Sequence, residues 1–239
     1  MFDKIVIATD LSKSSDAVIG CLGSLRMLGT SKAVLVHALG LKYMKDVTPI
    51  LVDLAEPHLL DQKQTLEQQG FTADSRIAYG VPMEEVNRIA REENASLIVV
   101  GSHGATCTQE LLLGGAALAI LHYAHLPVLL VRLKISGKES HLHSEVACRD
   151  FFRRILYATD FSETAERAFP YVEKIVEAGF KHLTLLHVQE KSDLSKHMEH
   201  RLEEFTQIDR ERLERMKDRL LKLGADDIQI EIPYGSPLQ

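Results

Sequence analysis

Short apolar runs alternate with amphipathic stretches along the first 133 residues. The runs at 4–8, 33–39, 72–79, 96–101 and 127–133 are β-rich or nearly continuous in hydrophobic residues, the pattern of strands buried on both faces of a sheet. Between them lie helical patterns at about 14–28, 50–69, 83–93 and 115–123, the second stopped by Gly70 and the third introduced by the turn "GVP". Strands separated by helices predict an α/β unit whose parallel sheet is covered by helices on both faces.

The pattern then repeats. "IVIATDLSKSSDAVI" from Ile5 matches "ILYATDFSETAERAF" from Ile155, and "VLVHAL" around His37 matches "TLLHVQ" around His187, both offset by 150. "YGVP" at Tyr79 matches "YGSP" at Tyr234 with an offset of 155, so the second copy gains five residues in or beside the intervening helix. The polar, non-periodic "KISGKESHLHSEVACRD" separates the copies. The expected organisation is a first domain over 1–133, a linker over 134–150 and a second domain over 151–239. The second copy shows strand, helix and strand, then a charged amphipathic helix at about 193–223 with Leu202, Phe205, Met216, Leu220 and Leu223 near one face. It stops soon after "YGSP", with no counterpart of the first copy's fourth and fifth strands. An incomplete copy with an unpaired edge at "ILYAT" is expected, and with it a homodimer or higher homo-oligomer.

Composition narrows the choices. Hydrophobic residues make up 45% and charged residues 26% of 239, which suits two ordinary globular domains. A net charge of −6 without a basic stripe argues against nucleic acid as a partner. Cys21, Cys107 and Cys148 form no CxxC pair, so neither a disulfide framework nor a zinc knuckle is expected, and a reducing cytoplasm fits. No signal-length or membrane-length apolar run occurs, so neither secretion nor a membrane is expected.

Candidate chemistry gathers in "GSHGATCTQELLLGG", Gly101 to Gly115. Gly101 and Gly104 follow a buried strand, where the missing Cβ lets a ligand approach the backbone. Gly114 and Gly115 open a helix whose first N–H groups lack intrahelical acceptors and carry partial positive charge, a setting suited to phosphate. Neither GxxxxGK[ST] nor a GxGxxG after the first strand is present. Asp10, on the same sheet edge, can accept from ribose hydroxyls or cap the next helix within "TDLS", and the residues alone leave both roles open. Ser12, Ser14 and Ser15 belong to no nucleophile motif, so no catalytic residue is named. His141, His143 and Cys148 lack a fourth zinc ligand, and His37 and His187 are expected to be structural.

The glycine spacing, two residues between the first pair and nine to the third, resembles the signature of the universal stress protein family, with "IVIATDLS", "VLVHAL", "YGVP" and "LPVLLVR" at the family's strand landmarks. The resemblance covers residues 1 to about 132 and the shortened copy. It implies a Rossmann-like open parallel sheet in the order 3-2-1-4-5 and an adenine nucleotide, ATP or AMP, with Mg2+ able to accompany the phosphates. Carried over by position, adenosine would meet Ala8, Thr9, Asp10 and Ala38, and phosphates Gly101, His103, Gly104, Gly114, Gly115 and Ala116. Gly115 stands where the family has Ser or Thr, which removes a hydroxyl ligand and lowers affinity roughly tenfold to a hundredfold. The leading expectation is a nucleotide-binding stress-response switch rather than an enzyme. A nucleotide-independent dimerising interaction module is the alternative, and a slow ATPase or phosphotransferase ranks third.

Overall fold

The five apolar runs of the first copy become β1 (Lys4–Ala8), β2 (Lys32–Leu39), β3 (Thr72–Tyr79), β4 (Leu97–Gly101) and β5 (Val128–Val131). In the computed structural model, which describes residues 2–40, 48–102, 113–136, 143–146, 151–190 and 202–237, they form one parallel sheet in the order β3-β2-β1-β4-β5. The chain divides into two compact units, 1–149 and 150–239.

β1 lies at the centre of the first unit, paired with β2 from Lys4↔Lys32 and with β4 from Ile5↔Leu97. Its Ile5, Val6 and Ile7 are buried, as a strand covered on both faces requires. Right-handed crossovers put α1 (Lys13–Gly20) and α2 (Thr48–Gln68) on one face, and α3 (Pro82–Glu92), which returns across β1, and α4 (Gly115–Tyr123), which runs on from β4 to β5, on the other. On the second face Val6, Val34, Val36, Ile98 and Val100 pack with Val86 and Ile89 of α3 and Ile120 of α4.

Two local expectations change. The helix expected over 14–28 ends at Gly20, and Leu22–Leu28 is a 3-10 helix. Its buried Leu22, Leu25 and Leu28 recur every three residues, the 3-10 period, so this geometry turns all three inward. The last strand of the sheet ends at Val131, and the segment read as a linker carries an antiparallel ribbon of β6 (Leu133–Ser136) and β7 (His143–Val146), with β7 beside α1. Local backbone pairing of this kind needs no hydrophobic periodicity, so the polar sequence did not announce it.

The second unit holds β8 (Ile155–Ala158), α5 (Glu163–Glu166), α6 (Phe169–Glu177), β9 (His182–Leu186), β10 (Gln189–Glu190), α7 (Leu202–Lys222), β11 (Asp227–Glu231) and β12 (Tyr234–Gly235). Its parallel sheet has the order β11-β9-β8, the 3-2-1 half of the first sheet, and β10 pairs with β12. Among the described residues β8 is hydrogen-bonded to β9 alone. The single helix expected after β8 is broken in two, with Pro170 in the first turn of α6. Leu213 and Leu220 of α7 pack with Tyr157, Phe169, Val176 and Leu185, and Met216 and Leu223 join them. Phe205, expected on that face, is 38% exposed, and 193–201 lie outside the described residues. The helices of the two copies align at an offset of 154: Leu66 accepts from the N–H of Phe71 as Leu220 does from that of Ala225. Four of the five extra residues therefore precede α7 and one follows it. No helix among the described residues is long and apolar enough to cross a membrane.

Candidate functional site

In the first sheet the chain runs outward from β1 to β2 and β3, then returns to β4 on the other side of β1. The segments leaving β1 and β4 thus go to opposite faces, which opens a crevice beyond the carboxyl ends of these two strands.

Thr9 and Asp10 follow β1 at this edge. The Thr9 N–H donates to the Val36 carbonyl at 3.0 Å, and the Thr9 carbonyl lies 3.0 Å from His37 Nδ1. A carbonyl only accepts, so Nδ1 carries the proton and His37 is a strut for the loop. Leu11 has left-handed backbone (φ 62), and its N–H donates to Thr9 Oγ1 at 3.1 Å. Asp10 Oδ1 accepts from the Ser12 N–H at 3.1 Å and from Ser15 Oγ at 2.7 Å. Ser12 in turn caps α1 by accepting from the Ser15 N–H. Ser12 thus caps the helix and Asp10 closes the turn that leads into it, while the Asp10 side chain stays exposed at the crevice.

On the β4 side, Gly101 pairs with Val131. The buried Ser102 donates its N–H to Val131 and accepts from the Gly114 N–H at 2.8 Å. That last bond fixes the start of α4 at the end of β4. Gly114 is the N-cap, in extended conformation, and the first intrahelical bond runs from the Leu118 N–H to its carbonyl. The amides of Gly115, Ala116 and Ala117 therefore precede the helical ladder. Gly115 and Ala116 are exposed, and the first turn of α4 has no acidic residue to oppose an anion. A Cβ on Gly115 would meet nothing within 4 Å, so the fold does not demand glycine there.

The structure thus brings Ala8, Thr9, Asp10, Gly101, Gly114, Gly115 and Ala116 to the carboxyl edge around β1 and β4. Ala38 is half-buried near the end of β2, opposite Ala78. His103 and Gly104 lie outside the described residues. No cluster of three or more His, Cys, Asp or Glu able to hold a metal occurs among the described residues.

Sequence reasoning missed Gln62 and Asp16. Gln62, 3% exposed, accepts from Thr9 Oγ1 at 2.9 Å and donates to Asp16 Oδ1 at 2.7 Å. The available signal was a single polar residue in the buried stripe Ala55, Leu59, Gln62, Leu66.

The second unit repeats the loop. His187 Nδ1 donates to the Thr159 carbonyl at 2.8 Å, Phe161 is left-handed (φ 59) and donates its N–H to Thr159 Oγ1, and Asp160 Oδ1 accepts from the Ser162 N–H. Hydrogen bonds from Ser162 hold the Asp160 carboxyl below its ordinary range. Here the edge carries stacked side chains of its own. The Phe161 and His187 rings are 4.5 Å apart, Arg212 lies over Phe161, and His187 Nε2 is 3.4 Å from Asp209 Oδ2.

The universal stress protein family model matches residues 1–132. Universal stress protein MJ0577 of Methanocaldococcus jannaschii is 28% identical over 159 residues, spanning 57% of this chain and 98% of that protein. Its solved structure superposes with a TM-score of 0.52 at 29% identity, covering 57% of this chain and 99% of the other. The crystal structure of a universal stress protein from Archaeoglobus fulgidus covers 98% of this chain and 77% of its own, with a TM-score of 0.72 at 24% identity, a likeness of fold. With the family model spanning more than half of its length, the chain belongs to the universal stress protein family.

Proposed function

We propose that the first unit binds an adenine nucleotide, ATP or AMP, at the β1–β4 crevice, and that occupancy acts as a stress-response switch in the cytoplasm. The observation that carries this reading is the meeting of an exposed carboxylate, Asp10, with the uncapped amides of α4 at one topological switch point. Asp10 would accept from ribose hydroxyls, Ala8, Thr9 and Ala38 would line the adenosine, and Gly101, His103, Gly104, Gly114, Gly115 and Ala116 would surround the phosphates. Any Mg2+ would be held mainly through the phosphates, since no metal cluster occurs among the described residues. The serine that donates to a carboxylate here, Ser15 to Asp10, belongs to the turn that opens α1, and we name no nucleophile or base among the described residues, so hydrolysis would be incidental.

Calorimetric titration with ATP, ADP and AMP tests the reading, together with native mass spectrometry of protein purified without added nucleotide. One adenine nucleotide per chain is the expected result, and absence of binding at millimolar ligand overturns it. A second reading, a nucleotide-independent interaction module that assembles as a homo-oligomer, is favoured by the turn bonds already made by Asp10 and by the β8 edge among the described residues. It predicts an empty crevice and assembly that ignores nucleotide. In either reading the described part of the second unit repeats the β3-β2-β1 half of the first sheet.

A further inference from the structure

We infer that Gln62 is a positioning residue for the nucleotide site, which ties the ribose-facing loop after β1 to helix α2. The inference rests on the nucleotide reading above.

Thr9 is engaged at every polar atom: its N–H by Val36, its carbonyl by His37 and its hydroxyl by both Leu11 and Gln62. Gln62 supplies the only one of these partners that comes from α2, and through Asp16 it also reaches the first turn of α1. A buried amide on an apolar helix face is kept without penalty only while both of its ends are bonded.

The second unit provides an internal control. At the 154-residue offset that aligns α2 with α7, Gln62 corresponds to Met216, and at the 150-residue offset Ile7 corresponds to Tyr157. Tyr157 stands there instead, and its hydroxyl donates to the Ala165 carbonyl of α5 at 2.8 Å, while Thr159 Oγ1 accepts from the Phe161 N–H. The same left-handed loop therefore forms with a tyrosine of β8 tied to α5, while α7 reaches it through Arg212 over the Phe161 ring and Asp209 beside His187, and with methionine at the glutamine's position. Making the loop does not require a glutamine on the long helix. What the glutamine adds, in the unit that also carries the glycine stretch, is a rigid link between that helix and the residue preceding Asp10.

The test separates the two halves of the ligand. ATP and AMP engage the ribose loop, whereas inorganic tripolyphosphate engages only the glycine stretch and the α4 amides. Gln62→Met, which conserves volume and copies the second unit, is expected to weaken ATP and AMP about tenfold while leaving tripolyphosphate within about twofold. Asp16→Ala, at the exposed end of the chain of bonds, is expected to weaken ATP severalfold, and Asp16→Asn, which keeps the accepting oxygen, to recover that loss. The Asp16 pair decides the matter if Gln62→Met fails to fold. Equal loss of ATP and tripolyphosphate, or no loss of either, overturns the assignment and leaves the nucleotide reading standing. Failure of the unaltered chain to bind ATP overturns both.

Discussion

The loops after β1 and after β8 have the same backbone and different supports. Both place a left-handed residue after the aspartate, both fold onto a histidine Nδ1, and both cap the next helix with serine. The first loop leans on Gln62 and leaves Asp10 facing a crevice completed by β4 and α4. The second leans on Tyr157 and carries Phe161, His187 and Arg212 stacked across its edge. The comparison teaches that the "ATDxS" segment is a structural unit in its own right. Recurrence of the motif therefore reports the turn, and ligand chemistry depends on what the neighbouring strand brings to it.

The largest expected effect separates the two aspartates. Asp10→Ala should lower ATP affinity tenfold to a hundredfold, about 1.5–3 kcal/mol for hydrogen bonds to a charged group. Asp160→Ala should leave affinity unchanged, because no counterpart of β4 or of the glycine stretch accompanies it among the described residues. Isothermal titration of both variants checks this, and equal losses would make the second unit a nucleotide site as well.

The supports can be separated next. Tyr157→Phe removes the hydroxyl that donates to the Ala165 carbonyl, in a position only 5% exposed. It should destabilise the second unit by about 1–3 kcal/mol, the cost of leaving buried polar groups unpaired, without changing nucleotide affinity. Urea unfolding followed by hydrogen exchange assigns the loss to one unit. A loss confined to the first unit would break the comparison.

A gain is expected at Gly115. Its backbone is not left-handed and a side chain would enter open space, so Gly115→Ser should fold as the unaltered chain does. By supplying the hydroxyl that the family resemblance implies at this position, it should raise ATP affinity by up to roughly tenfold. Parallel titrations of the two proteins measure the ratio, and an unchanged affinity would mean that the hydroxyl has no part in holding phosphate here.

The strands and their parallel arrangement were legible in the sequence because buried central strands are continuous apolar runs, as "KIVIA" and "LIVVG" show. The strand order came with the family resemblance. The aspartate and the glycines were legible through punctuation: they stand where a strand ends. Gln62 was not, because its role depends on which face of α2 meets Thr9, a tertiary contact across 53 residues. Tyr157 was hidden for the same reason, since a tyrosine in a strand looks like ordinary β-rich sequence until its hydroxyl finds the Ala165 carbonyl. The ribbon of β6 and β7 escaped because pairing between neighbouring polar segments leaves no periodic trace.

The smallest expected effect lies at the opposite, amino end of the first sheet, and it too separates the units. Glu93, just after α3, contacts Lys4 at 2.7 Å and Arg76 at 3.1 Å, and these partners hold its carboxyl below the ordinary glutamate range. A lowered folded pKa stabilises the native state above the unfolded value, near 4.5, and the contribution disappears as pH falls through the folded value. Arg76 is half-exposed, so screening limits the contribution to about 1 kcal/mol or less. Glu93→Gln should therefore lower the melting temperature of the first unit slightly at pH 7, and the difference should shrink toward zero as pH falls through the lowered folded value and the glutamate becomes neutral. Because α3 and the Glu93 that follows it have no counterpart among the described residues of the second unit, melting there should not respond to the substitution at any pH. A constant difference across the titration would mean that Glu93 acts by packing, and its charge would then have no part in distinguishing the two units.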